Sequence, residues 1–424
     1  MTAWLKRNFL HPVFITALLT AIFIYTREEP LTRTPYSSVI PKEQVTLLEG
    51  TICSNPVKTS KGCYYSMEVK LTNVSIRQEN MSLKGLASGK VRVFVSSNDV
   101  EALYPMRLHS LSTTEGFLFE SGARTRLGVR WSDKTNAFYA EEIHEVFFDK
   151  GFLGRLRKYR AYLRLMFKRL MCAWGSAGAL ILSLLSGARE YTEESVSDAF
   201  RASGLSHILA LSGMHLSFFS SLAGNFSTKL FGKKNSFFPR LAAIFAFVLF
   251  AGLSPSLLRA LICSLIMLTA KKVFCRELSF FHVLCACFII HTVIKPADSS
   301  SFAFMLSYLS LAGILVFSDI INILTVRFLP PKISASVSAS CGAQIATAPV
   351  SASVFGAVSP VGIVSTVVVS PMINIFLTVS IIAIIFSLCI PFLSRPFGCI
   401  MNAGYQCIMF FVNAFAKVPS ITFR

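Results

Sequence analysis

A polytopic α-helical membrane domain, preceded by a small β domain and a basic amphipathic helix, is the fold class that this sequence predicts. Three observations predict it. Hydrophobic residues make up 53% of the chain and charged residues only 15%, with a mean hydropathy of +0.58, a balance found in chains that live in lipid. Apolar runs follow one another from residue 173 to the end, broken by short basic clusters. Between residues 27 and 150 the pattern changes to short alternating segments separated by turn residues, which is the mark of β structure.

The N-terminal run Phe9–Tyr25 follows Lys6 and Arg7 and lacks a small-x-small cleavage site. Residues 1–26 therefore read as a retained membrane anchor with a cytoplasmic N-terminus, which leaves residues 27 onward outside the membrane. In residues 27–150, Val45–Cys53, Cys63–Val74, Val91–Val95, Gly116–Phe119 and Ala137–Val146 read as strands of a small barrel or sandwich. This region carries 16 basic and 15 acidic residues, so charge alone gives it no strong hold on nucleic acid. Its aromatic residues Tyr64, Tyr65, Phe94 and Trp131 suit either a core or base stacking. Cys53 and Cys63 flank the first hairpin loop, where a disulfide and two free thiols both remain open.

Residues 151–171 hold Arg155, Arg157, Lys158, Arg160, Arg164, Lys168 and Arg169, interleaved with apolar residues and with no acidic one. Such a helix suits a lipid surface with anionic headgroups. It also suits a landing rail for phosphates. Residues 172–424 form the membrane domain, with apolar segments at 174–187, 200–224, 237–253, 256–270, 278–294, 302–317, 333–358, 361–390 and 397–415. With the anchor they predict eight to ten passes or half-passes. The basic clusters around Lys229–Arg240, Lys271–Arg276 and Arg327–Lys332 favour the cytoplasmic side. Single crossings by every intervening segment are expected to prevent all three from sharing that side, and Pro349, Pro360 and Pro371 are expected to break the last third.

The chemistry concentrates in residues 201–217. His207 and His215, with Ser212, Gly213 and several other small residues, sit in a stretch apolar enough for lipid. At helical spacing Ser206, Ala210, Gly213, Ser217 and Ser221 share one small-residue face. The stretch reads either as a packed core helix with satisfied histidines or as the wall of a wet path. Eight residues of helix separate the two histidines by about 12 Å, too far to chelate one metal ion. No paired-cysteine zinc spacing and no phosphate-binding Gly-rich loop is present, so neither a metal nor a nucleotide cofactor is expected. Arg259 lies near the start of an apolar segment. It reads as a functional or paired intramembrane arginine, with Glu190, Glu194, Asp198 or Asp298 as partner, or as a snorkelling one.

The run Ser203-Gly-Leu-Ser-His-Ile-Leu-Ala-Leu-Ser-Gly-Met-His215 resembles the signature of ComEC-type competence proteins. So do Ala251-Gly-Leu-Ser-Pro-Ser-Leu-Leu-Arg-Ala260, then Pro296 with Phe304-Met-Leu-Ser-Tyr308, then Phe355-Gly-Ala-Val-Ser-Pro-Val-Gly362 through Pro371, in the family's order over about residues 175–390. Ala303 and Met305 stand where Gly and Gln are usual, and Thr366 where Asn is usual. Gly50–Pro56 and the strand after Gly62 are similar to the family's OB-fold domain.

The resemblance implies a multi-pass inner-membrane channel that passes one DNA strand into the cytoplasm during natural transformation. The path would involve His207, Ser212, Gly213, His215 and Arg259. The sequence has no His-x-His-x-Asp-His run, so no enzymatic activity is expected. Implied partners are single-stranded DNA, the lipid bilayer, an exported DNA receptor, a separate nuclease and a cytosolic ATPase motor. A small-solute transporter and a non-conducting membrane scaffold are the competing readings.

Overall fold

Alternation of apolar and polar residues builds the first half of the chain, and continuous apolar runs build the second. The computed structural model describes residues 11–26, 35–59, 62–78, 81–104, 116–209, 213–232, 237–273 and 278–422. Helix α1 (Pro12–Tyr25) comes first. The β domain holds β1 (Ser37–Ser38), β2 (Leu47–Ile52), β3 (Val57–Lys58), β4 (Tyr64–Gln78), β5 (Met81–Ser88), β6 (Lys90–Ser96), β7 (Arg124–Ser132) and β8 (Ala137–Phe147), with a short helix α2 (Ser97–Glu101) after β6. β2 pairs with β4, β4 with β6, β6 with β8, β8 with β7, and β7 with β2, so five strands close into a ring. Only the β6–β8 contact in that ring is parallel. Alternate residues point inward. Leu48, Ile52, Tyr65, Met67, Val69, Val93, Val95, Leu127 and Phe138 fill the interior.

Two readings left open for this domain are decided. Tyr65 is fully buried and donates to the Glu101 carboxylate at 2.7 Å, and Trp131 packs on Phe138 while its Nε1 donates to Asp133. Of the four aromatics singled out above, Tyr64 is the one with an exposed large face, at 40%. Cys53 and Cys63 are both exposed, and no disulfide joins them. Ile52 lies opposite Val69, which sets Cys53 opposite Glu68, and its N–H donates to the Glu68 carbonyl. Cys63 stands five residues away along that strand, roughly 16 Å at 3.3 Å per residue, which is beyond disulfide reach.

Helix α3 (Phe152–Ala173) leads from the β domain into α4 (Gly175–Ser186), α5 (Glu194–Ala202), α6 (Ser206–Leu209) and α7 (Gly213–Phe231). There follow α8 (Phe237–Ala251), α9 (Pro255–Val273), α10 (Phe280–Ile294), α11 (Phe302–Thr325), α12 (Pro331–Phe355), α13 (Gly362–Cys389) and α14 (Ser394–Ala416). Among the described residues, three helices are long and apolar enough to cross a membrane: Phe302–Thr325, Gly362–Cys389 and the run Pro391–Ala416. Pro12–Tyr25, Gly175–Ser186, Phe237–Ala251 and Phe280–Ile294 are shorter and apolar.

Short connections fold α7 to α12 into hairpins. Arg240 lies against Gly224 and Phe219 stacks on Phe247, so α7 and α8 are antiparallel. Cys287 meets Tyr308, and Gly313 meets Gly342 backbone to backbone, so α10 with α11 and α11 with α12 are antiparallel too. Helix α1 runs beside α10, with Phe14 on Phe281 at one end and the Tyr25 hydroxyl on the Ser299 carbonyl at the other. The connections at 232–237, 273–280 and 325–331 thus share one end of the bundle. The connections at 251–255 and 294–302 share the end that faces the β domain, where Gly252 approaches Asn55. The described basic residues Lys229, Arg240, Lys271, Arg327 and Lys332 therefore share an end, contrary to the expectation for their clusters, because two helices separate each group from the next.

Pro349 and Pro371 lie inside continuous helices, and only Pro360 falls in a break between helices. A proline is tolerated within a packed apolar helix where neighbours cover the freed carbonyl. The side chains divide into one core of α3 to α6 with α13 and α14, and another of α7 to α11, touching through Phe219 and Phe250.

Candidate functional site

The site is best built from the stretch 203–215, because its two ends dock on different parts of the bundle. Helix α5 stops at Ala202. Gly204 takes φ +74°, its N–H returns to the Arg201 carbonyl at 3.0 Å, and the Leu205 N–H returns to the Phe200 carbonyl at 2.7 Å. This closes the helix with a left-handed residue, which glycine adopts at little cost. The glycine is also required by packing, since a Cβ on Gly204 would lie 2.6 Å from the Gly362 Cα. Beside it the Ser365 hydroxyl donates to the buried Ser203 carbonyl at 2.7 Å. Gln344 on α12 donates to the Ser359 carbonyl at 2.6 Å. Thr366 donates to the Gly362 carbonyl within its own helix, so the hydroxyl at this position is satisfied locally.

The other end meets Arg259. A Cβ on Gly213 would stand 3.1 Å from the Ala260 Cβ and 3.4 Å from Arg259 Nη2. Arg259 Nη1 donates to the Ser307 carbonyl, and the guanidinium lies 5.9 Å from the centre of the Tyr308 ring. Its Nε is buried and has no hydrogen-bond partner among the described residues. None of the four acidic residues weighed as partners pairs with it. Glu190 pairs with Lys168, Asp198 with Arg201, and Asp298 with Lys295 and His291, while Glu194 is exposed.

Sequence reasoning named Tyr308 and Asp298 but missed His291, which joins them behind Arg259. The Tyr308 hydroxyl donates to the Cys287 carbonyl at 3.2 Å and lies 3.2 Å from His291 Nδ1. His291 Nε2 lies 3.3 Å from Asp298 Oδ2, and Lys295 Nζ lies 2.9 Å from Asp298 Oδ1. His291 is fully buried. The available signal was a histidine late in an apolar run, followed by an aspartate just after a proline.

The remaining predicted residues separate. His207 is exposed on α6, whereas His215 is fully buried in α7. Ser212 lies outside the described residues, as does Ala210 of the proposed small-residue face, and the described parts of the stretch are a helix end, a turn and two helices. The two histidines do not line one accessible surface in this arrangement. Among the described residues, no group of three or more His, Cys, Asp or Glu side chains is placed to hold a metal ion.

Helix α3 divides along its length. Arg155, Arg157 and Lys158 are exposed and Arg160 is half-buried, but Arg164, Lys168 and Arg169 are buried. Arg164 Nε donates to Glu120 at 3.0 Å and its Nη1 to the Phe250 carbonyl at 2.6 Å. Lys168 donates to Glu190 and to the Tyr104 hydroxyl, each at 2.9 Å, and Arg169 donates to the Leu103 carbonyl. Burial pushes the Glu120 carboxyl up, but Arg164, Lys168 and Arg160 outweigh it and hold the group below its ordinary range. These contacts tie the β domain, α3, the 187–193 connector and α8 into one joint. The single basic surface expected from sequence is thus a joint at its C-terminal half, because Glu120 and Glu190 arrive from outside the helix.

Neither a curated protein nor a solved structure matches the chain. Four sequence elements that lie far apart, around residues 203–215, 251–260, 304–308 and 355–365, come together in the geometry above. Residues 184–424 match the family model described as "Competence protein", which is more than half of the chain, and the chain belongs to that family.

Proposed function

We propose that the protein is a multi-pass conduit in the cell's inner membrane that passes a single DNA strand into the cytoplasm during natural transformation. Arg259 carries the reading. It is a cation inside an apolar bundle that no carboxylate among the described residues neutralises, held by a carbonyl and an aromatic face and placed at the end of the bundle nearest the β domain. An intramembrane arginine left in this state is costly unless an anion or water serves it. A phosphodiester is such an anion. Gly213 lets the α7 backbone come close to the guanidinium, since a Cβ there would stand 3.4 Å from Arg259 Nη2. The enclosed His215 makes the described arrangement a closed one, and passage requires α7 to part from its neighbours.

We read the β domain as OB-like. Support comes from the five-strand ring β2–β4–β6–β8–β7 with its single parallel pair. An interfacial role for the first half of α3 is supported by Phe152, Leu156, Tyr159 and Leu163, which form one exposed row at helical spacing beside Arg155 and Lys158. The chain performs no catalytic step in this reading. It takes its strand from an exported receptor after a separate nuclease has acted, and a cytosolic ATPase pulls.

The test is uptake of labelled DNA in cells carrying Arg259→Ala or His215→Ala, with membrane levels of the protein checked by immunoblot. Loss of uptake at normal protein levels is expected. Normal transformation in both variants would refute the site.

A further inference from the structure

We propose that Arg160, Asn55 and the backbone at Gly252 form an anion notch that holds a phosphodiester of the incoming single strand at the seam between β domain and bundle. This rests on the conduit reading above and adds a second phosphate contact to it. Gly252 takes φ +95° just before α9. A Cβ there would lie 3.4 Å from Asn55 Nδ2 and 3.7 Å from Arg160 Nη2. Two donor groups, one from the β2–β3 loop and one from α3, therefore converge on a spot where the chain has no side chain. The Asn55 amide is oriented by its oxygen, which accepts from the Ser121 N–H at 3.4 Å, so its NH2 turns toward the notch.

Arg160 differs from the cations around it. Arg164 and Lys168 are committed to Glu120, Glu190, Tyr104 and the Phe250 carbonyl. Arg160 makes no ion pair among the described residues, and its buried Nε has no hydrogen-bond partner there. Glu120, the nearby carboxylate, is already neutralised by Arg164 and Lys168 and leaves the notch cationic. A phosphate oxygen seated over the Gly252 backbone, further out than a Cβ would stand, would accept from both donors. A lipid headgroup fits less well, because the exposed apolar row of Phe152, Leu156, Tyr159 and Leu163 marks the lipid side of α3, whereas Arg160 faces the seam. Seven residues of chain, roughly 10 Å at helical rise, separate Gly252 from Arg259, so neighbouring phosphates of one strand could serve both.

The experiment uses the full-length protein in nanodiscs of neutral lipid. Fluorescence anisotropy follows a labelled oligothymidylate across a series of potassium chloride concentrations. Arg160→Gln is expected to weaken binding about tenfold. It should also lower the slope of log affinity against log salt by about 0.7, the value of one contact on a single strand. Asn55→Leu should weaken binding several-fold with little change of slope, and it tests the notch independently should Arg160→Gln not fold. An uncharged methylphosphonate oligomer should bind the variants and the wild type alike. Wild-type affinity and slope in both variants would overturn the notch alone. Wild-type protein that binds no oligonucleotide would overturn the conduit reading with it. A loss seen only for vesicles of phosphatidylglycerol, with oligonucleotide binding unchanged, would overturn the notch in favour of a lipid headgroup site.

Discussion

Arg164 and Arg259 are both arginines drawn into the molecule, and their surroundings are opposite. Arg164 is 2% exposed, bonded to the Glu120 carboxylate and capped by the Phe250 carbonyl, with Lys168 and Glu190 completing an alternation of charges. Arg259 has a carbonyl and a tyrosine face and, among the described residues, no carboxylate. A desolvated charge pair holds parts together because removing either member strands the other. A desolvated charge without a counter-ion adds nothing to stability by itself and keeps its attraction for an anion that arrives later. The first arrangement joins two domains, and the second suits a site for cargo.

Breaking the joint is expected to have the largest effect. Glu120→Ala leaves Arg164 without its carboxylate and should cost about 3–5 kcal/mol, read as a drop in thermal unfolding temperature of the detergent-purified protein. Acid should act on the same group. The Glu120 carboxyl is held below its ordinary value of 4.5 by its cations. A depressed carboxyl contributes stability that is complete above the unfolded value and is lost as pH falls through the lower folded one. Limited proteolysis should therefore find the joint intact at pH 5 and above, loosening only below about 4.5, and Glu120→Gln should lack this acid limb.

The site should respond differently. Arg259→Ala is expected to reduce binding of an oligothymidylate about 10- to 100-fold, as for loss of a charge-assisted hydrogen bond of about 1.5–3 kcal/mol, while the unfolding temperature barely moves. A large fall in stability would erase the contrast between the two arginines. Ser365→Ala removes the hydrogen bond to the Ser203 carbonyl and should cost about 1–2 kcal/mol, measured by thermal unfolding. The smallest structural effect belongs to the exposed end of α3. Arg155→Gln with Lys158→Gln should leave unfolding unchanged but weaken binding to anionic vesicles about fivefold per charge, since a basic residue near such a surface contributes about 1 kcal/mol.

Much of the fold was legible because hydrophobic periodicity is local. Alternation at Tyr65, Met67, Val69 and Leu71 marked β4, and the apolar runs marked α8 to α14 to within a few residues, save that α11 runs on to Thr325 beyond the run ending at 317. Arg259 and Gly213 were legible as a polar anomaly and a gap in apolar surroundings, and they do come together. The histidine stretch divides between α6 and α7, and spacing along the sequence does not encode such a division. His291 was missed, and Asp298 and Tyr308 were named without their link to it, because the three meet across separate elements.

By itself, the sequence determined which segments form apolar helices, where the β domain lies and which residues are chemically out of place there. Burial in lipid or in a strand is set by residues within one or two turns of each other. Only the tertiary structure decided which cations are neutralised. Glu120 reaches Arg164 across 44 residues and no carboxylate among the described residues reaches Arg259, and such encounters depend on how distant segments pack.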